Sequence, residues 1–356
     1  HRDLHSFPTR RSSDLVWTAV LLAAGLALAA GADVVVKTGV DAWGDGFRFA
    51  GLPLPACNDA ATVARFVLVD GAADPASAGT EALHDGRVPS AEDQPTSNFF
   101  FRAGSGGGRL LVDLGKPISV REVNTYSWHP GARGPQVYTL YGAAGQAVGF
   151  DAAPQRGKDP SSCGWLRLTR VDTRAAADGG GQHGVSVRSS AGALGRFRYL
   201  LFDVEPTERK DPFGNTFYSE IDVVAADGPA PASDPSLAAR PERVSFEAAG
   251  GRYRFAVDVT EAPDLREWSG RELRKVVSEW YPRLASQLGS EGFSPRAELL
   301  FRFRGDMGGT PASASGGSIN LNVVWFRREL GREALGAVVH EMAHIVQDYG
   351  RAGAGS

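Results

Sequence analysis

The chain contains little sulfur and has almost no net charge. Its 356 residues include 2 cysteines and 2 methionines, and residue 1 is a histidine. Two cysteines exclude a disulfide scaffold and a cysteine-rich zinc domain, while pairing of Cys57 with Cys163 stays open. The formal net charge of -3 argues against nucleic-acid binding driven by net basicity. The length predicts a globular protein of about two domains.

The first 32 residues predict an export signal behind foreign sequence. Residues 1–15 contain TRRSSDL, which resembles a translated sequencing-adapter oligonucleotide. We interpret this stretch as an artefact, with a genuine polar tail as the alternative. Residues 16–32 form an apolar run that ends in Ala-Gly-Ala, which is typical of a signal peptide, with a retained anchor as the alternative. We therefore expect a secreted, extracellular or periplasmic bacterial protein with no other membrane segment.

The rest of the chain divides at a proline-rich stretch. Residues 227–241 contain four prolines and no hydrophobic periodicity, which predicts an extended linker. Before it, residues 33–226 carry short alternating segments bounded by glycine or proline, the pattern of an all-β sandwich or jelly roll. After it, residues 242–356 predict an α+β domain with a helix behind a capping box at Ser269. Residues 318–325 predict an edge strand.

Motifs in the β-rich part resemble the discoidin, or coagulation-factor type C, family. They follow the order of that family over about residues 60–226: Leu83-His84-Asp85-Gly86, Phe99-Phe100-Phe101, and the strand segments 112–117, 120–123, 137–142, 197–200 and 218–223. The resemblance implies a galactose-binding-like jelly roll, a fold often used to bind carbohydrate or other surface ligands.

Two candidate sites lie in this part of the chain. The resemblance implies a structural calcium ion at Asp85 and Glu220, whose carboxylates are the hard oxygen ligands that calcium takes. The alternative is a turn aspartate and a solvated strand glutamate. Tyr126, Trp128 and His129 are candidates for a ligand platform, since aromatic faces stack on sugars. Local packing of these rings is the alternative.

The strongest chemical motif lies in the last predicted helix. His340 and His344 are four residues apart, so both imidazoles project from one helical face and can bind one zinc ion. Glu341 lies between them as the candidate general base. Apolar residues form the opposite face, so the histidines are predicted to be exposed. A helix with two solvated histidines is the alternative.

The sequence around this motif resembles the basic secretory protein family of zincin-like metallopeptidases. The resemblance spans about residues 242–350 and includes residues 339–347, Phe293-Ser294-Pro295, residues 316–321 and the helix around Trp280 and Pro282. It implies zinc bound by His340 and His344, catalysis by Glu341, and pairing of strand 318–325 with an extended substrate.

The zinc site is incomplete in this sequence. A catalytic zinc normally has three protein ligands and a water. Gln347 and Gly350 occupy the positions where the metzincin extension needs glycine and histidine, so that subclass is excluded. The resemblance implies a third ligand on a helix beyond Ser356, so we expect a fragment truncated at its C-terminus that turns over slowly or not at all.

Together these patterns predict a secreted zinc metallopeptidase with an appended carbohydrate- or surface-binding module. Its expected cofactors are Zn²⁺ and a structural Ca²⁺ in the β-sandwich. Its expected partners are a protein or peptide substrate and a glycan or cell-surface ligand, and no nucleic acid. The alternative is a cell-surface or glycan-binding adhesion protein with a vestigial, non-catalytic peptidase-like domain.

Overall fold

The structure is a computed structural model that describes residues 33–41, 46–176, 180–210, 212–238, 241–289, 295–315 and 317–347. The segments predicted as an artefact and a signal peptide, residues 1–32, lie outside the described residues. Within the described ranges, no helix is long and apolar enough to cross a membrane.

The first part of the chain is an antiparallel β-sandwich, as the alternating pattern predicts. Its strands are β1 (Val34–Asp41), β2 (Arg65–Asp70), β3 (Gly108–His129), β4 (Val137–Ala143), β5 (Leu166–Asp172), β6 (Gly181–Ser189), β7 (Gly195–Val204) and β8 (Tyr218–Ala225). Short 3-10 turns span Thr80–Leu83, Pro95–Ser97, Pro160–Cys163 and Arg174–Ala176.

Strand β3 is shared by the two sheets of the sandwich. Its first half pairs with β2 and β7, and its second half pairs mainly with β6 and β8. The pairing with β7 shifts register between Asp113 and Ile118, and Gly115 has a left-handed φ of 76° there. The sequence predicts two strands separated at this glycine. The structure has one long strand, which pairs with β7 on both sides of Gly115 and with β8 and β6 from Val120 onward.

The core between the sheets accounts for the alternating hydrophobic pattern. It contains inward-facing aliphatic and aromatic side chains from both sheets, among them Leu110, Val112, Val123, Val185, Val187, Leu200, Phe202, Ile221 and Val223. Burial of this alternating set on one face of each sheet fixes strand register. The prediction of an all-β jelly-roll sandwich is confirmed.

The proline-rich segment after β8 lies against the sandwich over its described residues. The Cys57 amide donates to the Ala232 carbonyl at 2.8 Å, and the Ala232 amide donates to the Asn58 side-chain oxygen at 2.6 Å. Helix α1 (Pro235–Ala238) follows. These contacts hold the predicted linker beside the loop that precedes β2. Cys57 is exposed and Cys163 is buried, and both are free thiols.

The second part is an α+β layer built on a mixed sheet. Its strands are β9 (Arg243–Ala248), β10 (Tyr253–Asp258), β11 (Glu298–Arg304), β12 (Ala312–Ser315) and β13 (Ser318–Asn322), in the order β12-β13-β11-β10-β9. Its helices are α2 (Arg266–Trp268), α3 (Arg274–Gln287), α4 (Val323–Glu329) and α5 (Ala334–Gln347). One apolar core joins the sheet to the helices.

The predicted edge strand over residues 318–325 is wrong in two respects. First, the strand ends at Asn322, whose side-chain oxygen accepts from the amides of Val324 and Trp325 at 3.0 and 3.2 Å. Such a bond is typical of a helix N-cap, so the chain turns into α4. Second, β13 pairs with β11 on one side and β12 on the other, which makes β12 the edge strand.

The predicted capping box at Ser269 is also wrong. Helical structure begins earlier, at the 3-10 turn Pro263–Leu265, and continues through α2 and a π-helical turn at Ser269–Leu273 into α3. Proline is favoured at the first helical position because its missing amide hydrogen is not needed there. Pro263 is therefore the start signal that the sequence pattern missed, while Ser269 is buried inside the helical run.

Candidate functional site

Helix α5 presents two histidines on its exposed face. Its opposite face is anchored in the core by Val338, Met342 and their apolar neighbours. His340 and His344 are exposed, with their Nε2 atoms 3.0 Å apart and their ring planes at 86°. This placement agrees with the prediction from helical periodicity.

The histidine pair fits two of the ligand positions of a zinc ion. Zinc–nitrogen bonds are ~2.0–2.1 Å long, so two nitrogens separated by 3.0 Å can bind the same ion. Glu341 lies between them in sequence and is half-buried. Within the described ranges, no three His, Cys, Asp or Glu side chains are grouped so that they could hold a metal ion. A zinc ion held here would need its third protein ligand from outside the described residues.

Two carboxylates on β8 and two from loops earlier in the chain lie in one region of the sandwich. Glu220 is fully buried, and a backbone hydrogen bond from Gly86 acts on its carboxylate. Asp222, also on β8, accepts from the Ala56 amide at 3.2 Å. Asp59 and Asp85 lie close enough to act on Glu220 electrostatically. Only Asp85 and Glu220 were predicted from the sequence.

The electrostatics of this acidic cluster favour a bound cation. Burial raises the pKa of the Glu220 carboxyl well above its ordinary value, and the negative charges of Asp222, Asp85 and Asp59 raise it further. Burial also raises the pKa of Asp222 well above its ordinary value, with a further contribution from Asp59. A cation beside Glu220 would offset both the desolvation and the repulsion.

The residues fit calcium better than a transition metal. Calcium takes carboxylate and backbone carbonyl oxygens in a flexible shell, and Glu220 would supply a carboxylate. Within the described ranges, no three His, Cys, Asp or Glu side chains are grouped so that they could hold the ion. The Asp85-Gly86 turn packs closely against Cys57, since a Cβ built at Gly86 would lie 2.5 Å from the Cys57 Cβ.

Tyr126 and Trp128 do not form the exposed platform predicted from the sequence. They are 0% and 3% exposed, and both pack edge-on against Phe47, with ring centroids 5.9 and 6.0 Å away. The Tyr126 hydroxyl donates to the Pro53 carbonyl at 3.0 Å. Their position in β3 turns them inward, so packing is their role in this structure.

His129 is half-buried and is held by local contacts. Its Nδ1 accepts from the Gly131 amide at 3.0 Å, and its ring packs edge-on against Phe217 at 4.9 Å. Burial lowers the pKa of His129 to about 4, although the nearby charge of Asp93 opposes this effect. The imidazole is therefore neutral at physiological pH.

An aromatic cluster that no sequence pattern predicted lies around Arg133 and contains one exposed ring, Phe213. The Arg133 guanidinium carbon lies 4.8 Å from the ring centroid of Phe213, 4.7 Å from that of Phe217 and 5.4 Å from that of Phe100. The Arg133 Nε donates to the Phe213 carbonyl at 2.7 Å. Phe213 is 55% exposed. In the sequence, the only local indication that Phe213 is exposed is its position between Pro212 and Gly214, which predicts a turn.

No protein-family model and no curated protein matches this chain. Solved structures that match include the lectin domain of Lectinolysin complexed with Lewis B antigen (14% identity, 48% of this chain, 98% of that chain, TM-score 0.33). Others are CBM32-1 from a Clostridium perfringens family 31 glycoside hydrolase (10%, 48%, 99%, 0.29) and chitosan-binding module 1 from a Paenibacillus sp. IK-5 chitosanase/glucanase (14%, 47%, 98%, 0.30). At these TM-scores, the jelly-roll assignment rests on the strand pairing described above.

Proposed function

We propose that the β-sandwich is a glycan-binding module that takes a sugar ring at the Arg133–Phe213 surface. The observation that carries this proposal is the exposed Phe213 ring held beside the Arg133 guanidinium. Apolar faces of sugar rings stack on aromatic rings. An exported protein, as expected from residues 16–32, would meet such ligands outside the cell.

The backbone around Phe213 favours binding because it is already ordered. The Phe213 carbonyl accepts from Arg133, and the preceding Pro212 carbonyl accepts from the Gly104 amide at 2.6 Å. A ring presented by a fixed loop loses little conformational entropy when a ligand binds. A glycan array probed with the wild-type chain and with Phe213→Ala tests the proposal, since the variant should bind the glycans that the wild type recognises about tenfold more weakly.

The acidic cluster is assigned to a structural calcium ion in this proposal. Glu220 would bind the ion, and Asp85 would contribute negative charge from the neighbouring turn. The ion would tie β8 to the turn at Asp85 and the loop before β2, where Asp59 accepts from the amides of Ala61 and Val223 at 2.7 and 2.8 Å. Its role is to stabilise these loops, at a distance from the sugar-stacking ring.

A second candidate function is peptide-bond hydrolysis by the α+β part. The observation that favours it is the 3.0 Å separation of the His340 and His344 Nε2 atoms on an exposed helix face. Helix α5 packs against β12, an edge strand that pairs only with β13 among the described residues. An extended peptide adds to such an edge by main-chain hydrogen bonds, so β12 takes the substrate-binding role first expected for residues 318–325.

In this candidate, His340 and His344 would hold a zinc ion together with a third ligand from outside the described residues, and the ion would supply Lewis acidity. Glu341 would accept a proton from the attacking water and pass it to the leaving amine. Loss of peptide hydrolysis in Glu341→Gln with zinc binding retained supports this function. A chain that binds glycans and never hydrolyses peptides supports the adhesion alternative.

A further inference from the structure

A polar cavity lies behind the turn that presents Phe213. It has a volume of about 610 Å³ and is lined by residues 104–106, by residues 156–157 and by parts of the stretch from Asp203 to Gly214. Pro212 and Gly214 line the cavity, while Phe213 between them contacts Arg133. A single turn of backbone therefore separates the cavity from the proposed sugar-stacking surface.

The floor of the cavity is a fixed hydrogen-bonded network. The buried Arg109 guanidinium donates to the carbonyls of Pro154, Gln155 and Lys158 at 2.9–3.0 Å and to the Asp203 carboxylate at 2.9 Å. Arg156 donates to the carbonyls of Gly106 and Val204. These hydrogen bonds fix both arginine side chains, so the cavity is preorganised before a ligand binds.

The lining defines the chemistry of a ligand. It contains three arginines and three carboxylates, Arg109, Arg156, Arg209, Asp203, Glu205 and Glu208, so their formal charges cancel. The other lining residues are four glycines, two prolines and Ser105. A balanced, polar and non-aromatic lining disfavours a strongly charged or apolar ligand. It suits a neutral molecule with many hydroxyl groups, which can donate to carboxylates and accept from the exposed Arg209 guanidinium.

The geometry points to this cavity as a second sugar subsite, contiguous with Phe213, so that the module binds a neutral oligosaccharide and not a single sugar. This inference rests on the proposed glycan-binding function. One sugar unit stacks on Phe213 beside Arg133, and the next units cross the Pro212–Gly214 turn into the cavity. The subsite explains why a rigid polar cavity and an exposed aromatic ring flank the same turn.

Two variants in the full chain test the subsite. Arg209→Ala removes an exposed lining group whose partner Glu205 also pairs with Arg170. Gly106→Tyr fills the cavity, because a Cβ at Gly106 meets only the flexible end of the Arg156 side chain at 3.2 Å. Arg271→Ala, an exposed arginine on the α+β part, is the charge-matched control. An array of neutral glycans identifies a ligand, and calorimetry then compares that oligosaccharide with its terminal monosaccharide.

We expect the oligosaccharide to bind at least tenfold more tightly than the monosaccharide. Gly106→Tyr should remove that advantage and Arg209→Ala should reduce it severalfold, while both leave monosaccharide affinity and thermal stability unchanged. The subsite would be overturned if the two sugars bound with equal affinity, or if Gly106→Tyr still bound the oligosaccharide more tightly than the monosaccharide. The proposal that one sugar stacks on Phe213 would then still stand. Absence of glycan binding by the wild type, or binding insensitive to Phe213→Ala, would overturn the proposed function as well.

Discussion

The Arg302 guanidinium carbon lies 5.8 Å from the centroid of the Trp128 ring. Arg302 belongs to β11 of the α+β part and Trp128 to β3 of the sandwich, so this cation–π contact joins the two parts. The positive charge of Arg302 lowers the pKa of the Glu92 carboxyl, but burial raises that pKa by more. The buried Arg302 side chain thus covers Trp128, the tryptophan that the sequence offered as a sugar platform.

Replacement of Trp128 by alanine should therefore reduce stability first. Removal of a buried aromatic side chain typically costs about 3–5 kcal/mol, and Trp128 packs against Phe47 as well as Arg302. The free energy of unfolding, measured by urea denaturation, should fall by about that amount. Phe213→Ala is the matched control, since its ring is 55% exposed and its loss should cost less than about 1 kcal/mol. A stable Trp128→Ala chain would argue against this packing role.

The opposite result is expected for glycan binding. Phe213→Ala should weaken binding about tenfold, which corresponds to about 1.4 kcal/mol, because it removes the stacking face. Phe213→Tyr keeps the ring and should retain affinity within about threefold. Calorimetry with a glycan found on an array provides the measurement. If Phe213→Ala binds as tightly as the wild type, the sugar does not stack on this ring.

The sequence predicts the parts of this molecule that depend on local periodicity. Alternation in β3 and β7 predicts a sandwich, and helical spacing predicts the exposed histidines of α5. Features that depend on distant residues escape it. Arg133 and Phe213 are brought together only by folding, and Asp59 and Asp222 join Asp85 and Glu220 for the same reason.

Errors at element boundaries have an equally physical cause. The apolar run at residues 318–325 suits a strand and a helix alike, and periodicity alone does not separate short segments of the two. The bonds from two amides to the Asn322 side chain decide the change from β13 to α4. The edge position of β12 depends on tertiary pairing, which no local pattern contains.

Calcium should stabilise the sandwich through Glu220. A ligand that binds only the folded state at a hundredfold excess over its Kd adds about 2.7 kcal/mol to the free energy of unfolding. The melting temperature of the wild type should rise on addition of calcium and return with EDTA. Glu220→Gln should lose most of this rise, because the amide has no charge to bind the ion. Asp151→Asn, which alters an exposed carboxylate paired with Lys158, is the control and should keep the rise.

A buried histidine should make the sandwich sensitive to acid. His183 is fully buried, its Nδ1 lies 3.2 Å from the Thr173 hydroxyl, and burial lowers its pKa from 6.5 to about 4. The unfolded chain therefore binds a proton between these pH values and the folded chain does not. Stability is unaffected by this group above pH 6.5 and falls as pH drops towards 4. The full loss corresponds to at most about 3 kcal/mol.

Denaturation at a series of pH values checks this dependence. His183→Gln should flatten the fall in unfolding free energy between pH 6.5 and 4, whatever its effect at neutral pH. Thr173→Ser keeps the hydroxyl beside the imidazole and should keep the wild-type slope. An unchanged slope in His183→Gln would assign the acid sensitivity to other groups.

Zinc binding at α5 should depend on both histidines and not on the glutamate between them. His340→Ala and His344→Ala each remove one of two nitrogens that lie 3.0 Å apart, and each should weaken zinc binding at least ~100-fold because the remaining imidazole binds alone. Glu341→Gln should bind zinc like the wild type and reduce any peptide hydrolysis by about 10²–10⁴-fold, the usual contribution of a general base. Titration with a zinc indicator and cleavage of a fluorogenic peptide library separate the two effects.

His84→Ala, in the sandwich, is the control. Equal zinc affinity in all three histidine variants would show that the metal binds elsewhere, and full hydrolysis by Glu341→Gln would exclude it as the base.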